Sequence, residues 1–471
     1  MKNVYLHGNF APIHTEVKVG GLKVIGCIPD WLNGAFIRNG GNPMLPFEGP
    51  FCRIDGDGML HKTRIKDGNV SYQNRYVETY GLKEERLHGK RLWTGFFEKP
   101  DPKARQSPKG GSIYKNSSNT SVVFQANRLL SMYEGALPHR IRADDLETEE
   151  LHDFEGSWEG PFVAHPKVDQ KTGEMMFVSA HLPTGNYRYG VVDAQGKVSF
   201  SCNLDVQSRS LMHDMAVTEN YSIIFDLPYN FDLKRMEKGI HPLGFDHELP
   251  SRFGVIPRHG GDVQWFEAPP SYIFHTLNAY EDGDQIVMLA PRLEKTNWLN
   301  RTKAFGLEEG EIAGGDWAGQ LTEWRFDLHT GKVSEMPHDD TFVDFPQLPL
   351  DLVGQKSRYA YACRLYDQGG MDPVLFDGLI KYDHVKGTSE FTSFGNERYG
   401  HEVAAVPCPG AKEEDDCLLI TYVHDEFNSQ SELVMYHAQD LKGGPIARVI
   451  LPQRVPYGFH GTWVPSQAFT D

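Results

Sequence analysis

Basic residues are scarce. The 471-residue chain sets 47 Lys and Arg against 64 Asp and Glu, a formal net charge of −17 at pH 7. A surface of that sign repels phosphate backbones and anionic headgroups, so nucleic acid is not an expected partner and the expected ligands are neutral and apolar. Cysteine is sparse too: Cys27, Cys52, Cys202, Cys363, Cys408 and Cys417 are scattered, with no C-x-x-C pair. That usage suits a reduced, intracellular chain and argues against a disulfide framework or a zinc site. Long apolar runs are missing. Leu418-Leu419-Ile420, with Tyr422-Val423 nearby, is strand-sized and far short of a bilayer span. Met1 to His7 carry no apolar h-region, so no signal peptide is expected and the default address is the cytoplasm. Long helical periodicity and low-complexity linkers are absent as well, which leaves a single domain over 1–471 as the expectation.

What the chain does hold is apolar and aromatic content, 39% and 12%, enough for a sizeable core. Short β-rich runs alternate with turn chemistry throughout. Asp67-Gly68, Asp169-Gln170-Lys171-Thr172-Gly173, Asp193-Ala194-Gln195-Gly196 and Asp327-Leu328-His329-Thr330-Gly331 supply the Asp and the positive-φ glycine that tight hairpins require. Many short antiparallel strands in one large domain mean a sandwich, a barrel or a propeller, and a propeller best suits this length because it grows by adding blades around an open axis. Three longer connections, Glu84–Gly111, Tyr229–Pro250 and Asn297–Gly315, are expected to cap one face. In the second, Phe231, Leu233, Met236, Ile240, Leu243 and Phe245 lie among charged residues. That pattern reads first as a helix covering the core and second as an apolar lip touching a membrane to collect a lipid-soluble substrate.

Four histidines stand in stretches of one character. Val455-Pro456-Tyr457-Gly458-Phe459-His460-Gly461-Thr462-Trp463 sets an imidazole between glycines and aromatics; Phe162-Val163-Ala164-His165-Pro166, Leu211-Met212-His213-Asp214 and Ile273-Phe274-His275-Thr276 are its counterparts. Each alone is a satisfied core histidine or a metal ligand. The intervals of 48, 62 and 185 residues contain no local ligand pair such as H-x-x-x-H, which argues against structural zinc and suits separate blades each sending one residue to an axis. Asp55-Gly56-Asp57-Gly58 hints at a calcium loop, but its twelfth position is Lys66, so a tight turn is the better reading.

Arg38-Asn39-Gly40-Gly41-Asn42-Pro43, Asp55-Gly56-Asp57-Gly58-Met59-Leu60-His61, Ala164-His165-Pro166-Lys167, Met212-His213-Asp214, Phe274-His275-Thr276 and Gly458-Phe459-His460-Gly461, in this order, resemble the carotenoid cleavage oxygenases from about Gly34 to Trp463. The resemblance implies an all-β, seven-bladed β-propeller with a helical and loop dome over the axis. It implies non-haem Fe(II) held by His165, His213, His275 and His460, and splitting of a conjugated C=C by O2 into two carbonyl products. Imidazole suits ferrous iron, and ligating histidines usually donate their other N–H to a carboxylate. The resemblance puts Glu134, Asp344 and Glu402 in that role, with Asp344 standing where many members have Glu. It also puts the Thr120 methyl against an open iron position.

Members that cleave hydroxylated stilbenes carry a lysine before the first of those carboxylates and a tyrosine in the preceding loop. Here Tyr133 and Phe97 occupy the corresponding places, which removes the charge-assisted grip on a phenolate. A carotenoid or apocarotenoid is therefore the expected substrate, and a stilbene or phenylpropene the alternative. Phe97, Tyr133, Trp158, Phe162 and Phe274 are the candidates to line its tunnel. A non-catalytic propeller binding an apolar ligand is the competing reading of a different class, and the family's isomerohydrolase branch ranks last. No obligate protein partner is evident, and membrane contact would be peripheral, through 229–250.

Overall fold

Short strands joined by tight turns make up almost all the regular structure in the computed structural model, which describes residues 3–47, 51–96, 98, 114–232, 234–235, 242–294, 319–366 and 374–470. The Asp-Gly turns fall where expected. Gly173 N–H donates to Asp169 O at 2.8 Å and Gly331 N–H to Asp327 O at 2.9 Å, with φ near +74° and +70° at the glycines. The aspartate side chains accept from Lys171 N and Thr330 N at 2.8 Å, which pins each reversal and the register of the strands it joins.

The fold is mostly β. One sheet joins Lys18–Gly20, Asn69–Tyr76, Met59–Lys66, Gly34–Arg38 and Gly461–Pro465; three four-stranded sheets follow over 122–151, 167–203 and 216–268. A thirteen-stranded sheet takes in the strands from Asn278 to Ile450 together with Val24–Gly26. All the registers are antiparallel. The two ends of the chain are stitched together twice, Gly34–Arg38 against Gly461–Pro465 and Val24–Gly26 against Ala447–Ile450. Pairing first strands with last removes exposed edges that would otherwise invite aggregation. Gln285–Arg292 and Cys417–Asp425 are buried along nearly their whole length, as continuous apolar strands covered on both faces should be.

Asn39 is the polar knot of this closure. Fully buried, it donates from Nδ2 to Ser118 O (3.0 Å), Ser121 O (3.2 Å) and Ser131 Oγ (3.0 Å), and accepts from Gly40 N (2.9 Å).

Two expectations need correction. The ends of the 229–250 connection are strands, Tyr229–Phe231 against Leu243–Phe245, so any helix is confined to the stretch between them, where Lys234 and Arg235 are helical. Phe231 and Leu243 are buried in the largest core cluster, so they do not form a lip toward a bilayer. Leu233, Met236 and Ile240, and all of 297–315, lie outside the described residues. Of the Glu84–Gly111 connection, the first residues belong to the helix Tyr80–His88, capped by Thr79 at its start and by left-handed Gly89 at its end. Among the described residues no helix is long and apolar enough to cross a membrane. Asp57 does not form a calcium loop; it pairs with Lys115 at 2.8 Å.

Asn39→Ala strands several buried acceptors at once. We expect a loss of about 2–3 kcal/mol of unfolding free energy, to be read from denaturant titration; an unchanged midpoint would remove Asn39 from this role.

Candidate metal centre

Each of the four histidines sits just before a strand: His165 before Lys167–Val168, His213 before Ala216–Val217, His275 before Asn278–Asp282 and His460 before Gly461–Pro465. The strand start holds the backbone while the ring projects from its end. For His460 the flanking glycines have a steric reason. A Cβ on Gly458 would meet Asn39 O at 2.7 Å, and one on Gly461 would meet the Phe36 ring at 2.7 Å. Only bare backbone can run so close, and the closeness brings two hydrogen bonds, Phe459 N to Asn39 O and Asn39 N to His460 O, both 2.9 Å.

The four rings converge. One nitrogen from each of His165, His213, His275 and His460 lies within 4.8 Å of those of the others. His213 Nε2 and His275 Nε2 are 3.3 Å apart. Two nitrogens each about 2.1 Å from a common ion would stand roughly 3.0–3.4 Å apart. Ring centroids are 4.3 Å apart for His165 and His460 and 4.6 Å for His165 and His213.

Carboxylates face three of the rings from behind. His275 Nδ1 donates to Asp344 Oδ1 at 2.7 Å and His460 Nδ1 to Glu402 Oε1 at 3.1 Å. Glu134 Oε2 is 3.1 Å from His213 Nδ1, off the line of the ring N–H, so it is the least aligned of the three contacts. Asp344 reaches directly despite its short side chain because the strand slips register between Asp344 and Gln347 and Phe345 turns to φ +52°. The same turn lays Phe345 flat on His275, at 5.3 Å and 21°. Glu402 is fixed in turn by Gln347 Nε2 (2.7 Å) and Gly461 N (2.8 Å).

Protonation follows from burial. His165 and His275 are held well below the ordinary histidine range, first by desolvation and then by their neighbouring imidazoles. For His213 desolvation also opposes the charge, but Glu134, Asp214 and Asp344 outweigh it and raise the pKa. His165 Nε2 is buried with no hydrogen-bond partner. A neutral nitrogen left bare beside three others, with carboxylates behind the rings to tilt their lone pairs inward, fits a divalent transition metal. Cys408, Asp416 and His437 make a second, half-buried group, but they satisfy one another, with Sγ 3.9 Å from Nε2 and Nε2 3.4 Å from Asp416 Oδ1.

Sequence reasoning gave no role to Asp214, which ties three of the histidine segments together. Its carboxylate accepts from Thr276 N (2.7 Å) and Thr276 Oγ1 (2.9 Å), beside His275, and from Lys167 Nζ (2.7 Å), two residues after His165. Its adjacency to His213 was the available signal. Of the expected tunnel residues, Thr120, Tyr133 and Phe274 line the cavity that opens onto the histidines. Trp158 and Phe162 lie in the core behind it, with Phe162 stacked on Phe177 at 4.2 Å, and Phe97 lies outside the described residues. The cavity wall also includes Arg53, Phe345 and His401, which sequence reasoning did not single out.

The sequence model of the family described as Retinal pigment epithelial membrane protein matches residues 10–465. The chain is similar to the carotenoid 9,10(9',10')-cleavage dioxygenase 1 of Arabidopsis thaliana, 35% identical over 497 residues that cover 98% of this chain and 89% of that protein. Among solved structures it is similar to the lignostilbene dioxygenase of Pseudomonas brassicacearum, with TM-score 0.88, 26% identity and 98% of each chain covered. It is also similar to cobalt-substituted Synechocystis ACO, with TM-score 0.83, 25% identity and 96% of this chain and 97% of that chain covered.

His275→Ala removes one of the converging rings and should abolish metal retention, measured as metal per chain after dialysis. Glu402→Gln keeps the shape but weakens the orienting bond, and metal affinity should fall roughly 10- to 100-fold. Full metal content in His275→Ala would remove that residue from the centre.

Proposed function

The chain belongs to the carotenoid cleavage oxygenase family and is a dioxygenase, and from that premise we propose that it uses Fe(II), held by His165, His213, His275 and His460, to cleave a conjugated C=C of a carotenoid or apocarotenoid with O2 into two carbonyl products. The observation that carries this reading is the convergence of four imidazoles at an apolar cavity, three of them backed by carboxylates. The relationship to a carotenoid-cleaving enzyme over nearly the whole chain supports the substrate class.

Bound ferrous iron supplies open coordination positions and the electrons that let O2 react with an alkene. The residues of the chain do the rest. Asp344 and Glu402 accept hydrogen bonds from the Nδ1–H groups of His275 and His460, which leaves each Nε2 lone pair for the centre, while Glu134 lies 3.1 Å from His213 Nδ1 in a less aligned contact. Four neutral ligands bring no anion to the ion, so its charge is balanced only from the carboxylates behind. Thr120, buried on the wall, presents its side chain toward the space where O2 and alkene must meet; its hydroxyl is turned aside to Asn119 Oδ1 at 3.0 Å. Phe274 and Phe345 supply apolar surface that excludes water and accepts a polyene. Burial holds the Tyr133 hydroxyl protonated, well above its usual range, so the position offers no cation for a phenolate.

A seven-bladed propeller is the architecture that best accommodates the sheets. Four antiparallel sheets of four or five strands account for four blades, and the thirteen-stranded sheet holds strands enough for three more. Strands from both ends meeting in the same sheets support one domain over 1–471. Six free cysteines and the acidic surface favour the cytoplasm. An aryl-alkene substrate is the second reading, favoured by the structural likeness to a lignostilbene dioxygenase.

The deciding experiment incubates Fe(II)-loaded protein with carotenes, apocarotenals and hydroxystilbenes under O2 and identifies products by mass. Aldehydes from a polyene are expected, and they should disappear when iron is chelated. Products from hydroxystilbenes alone would overturn the substrate class, and products that persist without iron would overturn the metal.

A further inference from the structure

His401 is only 2% exposed, on the wall of the same cavity, yet neither of its ring nitrogens has a hydrogen-bond partner. Its ring is wedged among Phe345, Phe376 and Tyr457, at centroid distances of 5.4, 5.7 and 5.6 Å. Its backbone is fixed by the Thr421 hydroxyl, which donates to His401 O at 2.8 Å. Burial first, and then the nearby Arg53 and Arg38 charges, keep the ring well below the usual histidine range, so it is neutral, with one N–H to give and one lone pair to receive. A buried donor left unmade is destabilising, and an aromatic nest of this kind would take a phenylalanine without that cost. Packing alone does not account for an imidazole here.

Arg53 stands beside it on the cavity wall. Its guanidinium lies 4.7 Å over the Phe459 ring and donates to the carbonyls of Tyr457 and Gly458. Among the described residues no carboxylate lies within ion-pair distance of it. Burial lowers its pKa only to about 10, so it remains a cation facing an otherwise apolar space.

We propose that His401 and Arg53 form a subsite for a hydrogen-bond-accepting oxygen at one end of the substrate, either the carbonyl of an apocarotenoid or the phenol oxygen of an aryl alkene. A pure hydrocarbon would set only C–H groups against His401 and leave its ring nitrogens without partners. An oxygen end satisfies the orphaned imidazole N–H and sets a partial negative charge beside the Arg53 cation. Phe345 touches both His401 and the ligand rings His275 and His460, at 5.3 and 5.1 Å, so the anchored end lies one aromatic ring from the histidine centre. Such an anchor fixes the register of the substrate and hence which alkene faces the histidines. The inference rests on the cavity being the substrate site, as proposed above.

The test is binding by iron-loaded protein in the absence of O2, followed by quenching of tryptophan fluorescence, with two matched pairs: a β-apocarotenal against β-carotene, and a hydroxystilbene against stilbene. In the wild type the oxygenated member of at least one pair should bind about tenfold tighter. That ratio should collapse toward one in His401→Phe and recover in part in His401→Gln, which restores a donor. The pair that responds names the source of the oxygen. His401→Phe should melt no lower than the wild type; if it does not fold, His401→Leu is read in the same way. A wild type with no preference in either pair, or a preference that survives in the apolar variants, overturns the subsite. The titrations need no turnover, so a wild type that binds with the expected preference but makes no aldehyde under O2 would sink the dioxygenase reading and leave the subsite standing.

Discussion

Four imidazoles brought within a few ångströms of one another are by themselves an unfavourable arrangement. Their lone pairs repel, and protonating His165 or His275 is opposed by burial first and then by the neighbouring imidazoles. The arrangement holds only because each ring is gripped from outside. Carboxylates at Nδ1 choose the tautomer, strand starts hold the backbones, and His165, which has no acid behind it, is left with a bare nitrogen in a buried place. A dication held at the focus would turn that repulsion into attraction. Much of the fold can be understood as the apparatus that keeps four rings pointed at one point without their collapsing onto each other.

Asp214 shows how economically this is done. One carboxylate, 1% exposed, holds Thr276 and Lys167 while its neighbour His213 reaches the centre. Three ligand segments from three different sheets are thereby tied to a single buried anion, and the lysine balances its charge. A buried pair of this kind adds little net stability when compared with apolar packing, but breaking one partner leaves an uncompensated charge. Its use here is positional: it fixes the spacing between segments that share no hairpin.

The β character and the convergence of the four histidines were legible because both leave local marks: Asp-Gly punctuation for the hairpins, and an imidazole in apolar, glycine- or proline-marked surroundings at each histidine. The contact between Asp344 and His275 was legible as a pairing, while the register slip and the positive φ at Phe345 that allow it were not, since neither has a residue signature outside glycine. Trp158 and Phe162 were misplaced for a geometric reason. On a strand, or the loop leading into one, a shift of one position decides whether an aromatic faces a cavity or the core behind it, and composition does not encode that choice. His401 was hidden by its neighbour: next to Glu402, which has an evident partner in His460, it looked like part of the same motif. The 229–250 stretch misled at its ends: apolar residues spaced among charges suit an amphipathic helix, and Lys234 and Arg235 are helical, but the flanking segments pair with each other as strands.

The position of His460 joins the centre to the closure of the chain. It stands one residue before Gly461–Pro465, the strand that pairs with Gly34–Arg38 and completes the first sheet with the last strand. The bonds that hold the ring in place are closure bonds: His460 O receives Asn39 N, His460 N donates to Thr120 O at 3.2 Å, and Gly461 N donates to the carboxylate that orients the imidazole. Anything that draws His460 inward therefore tightens the seam, and anything that frays the seam withdraws a ligand. A metal that bound the assembled centre better than a frayed one would, by linkage, add its binding energy to the closure. The three other ligands, set at the starts of strands inside the chain, do not span a seam of this kind. Ligand and latch coincide at one histidine, and that coincidence explains why the glycines around it admit no side chain: each removed Cβ lets the last segment lie flat against the first.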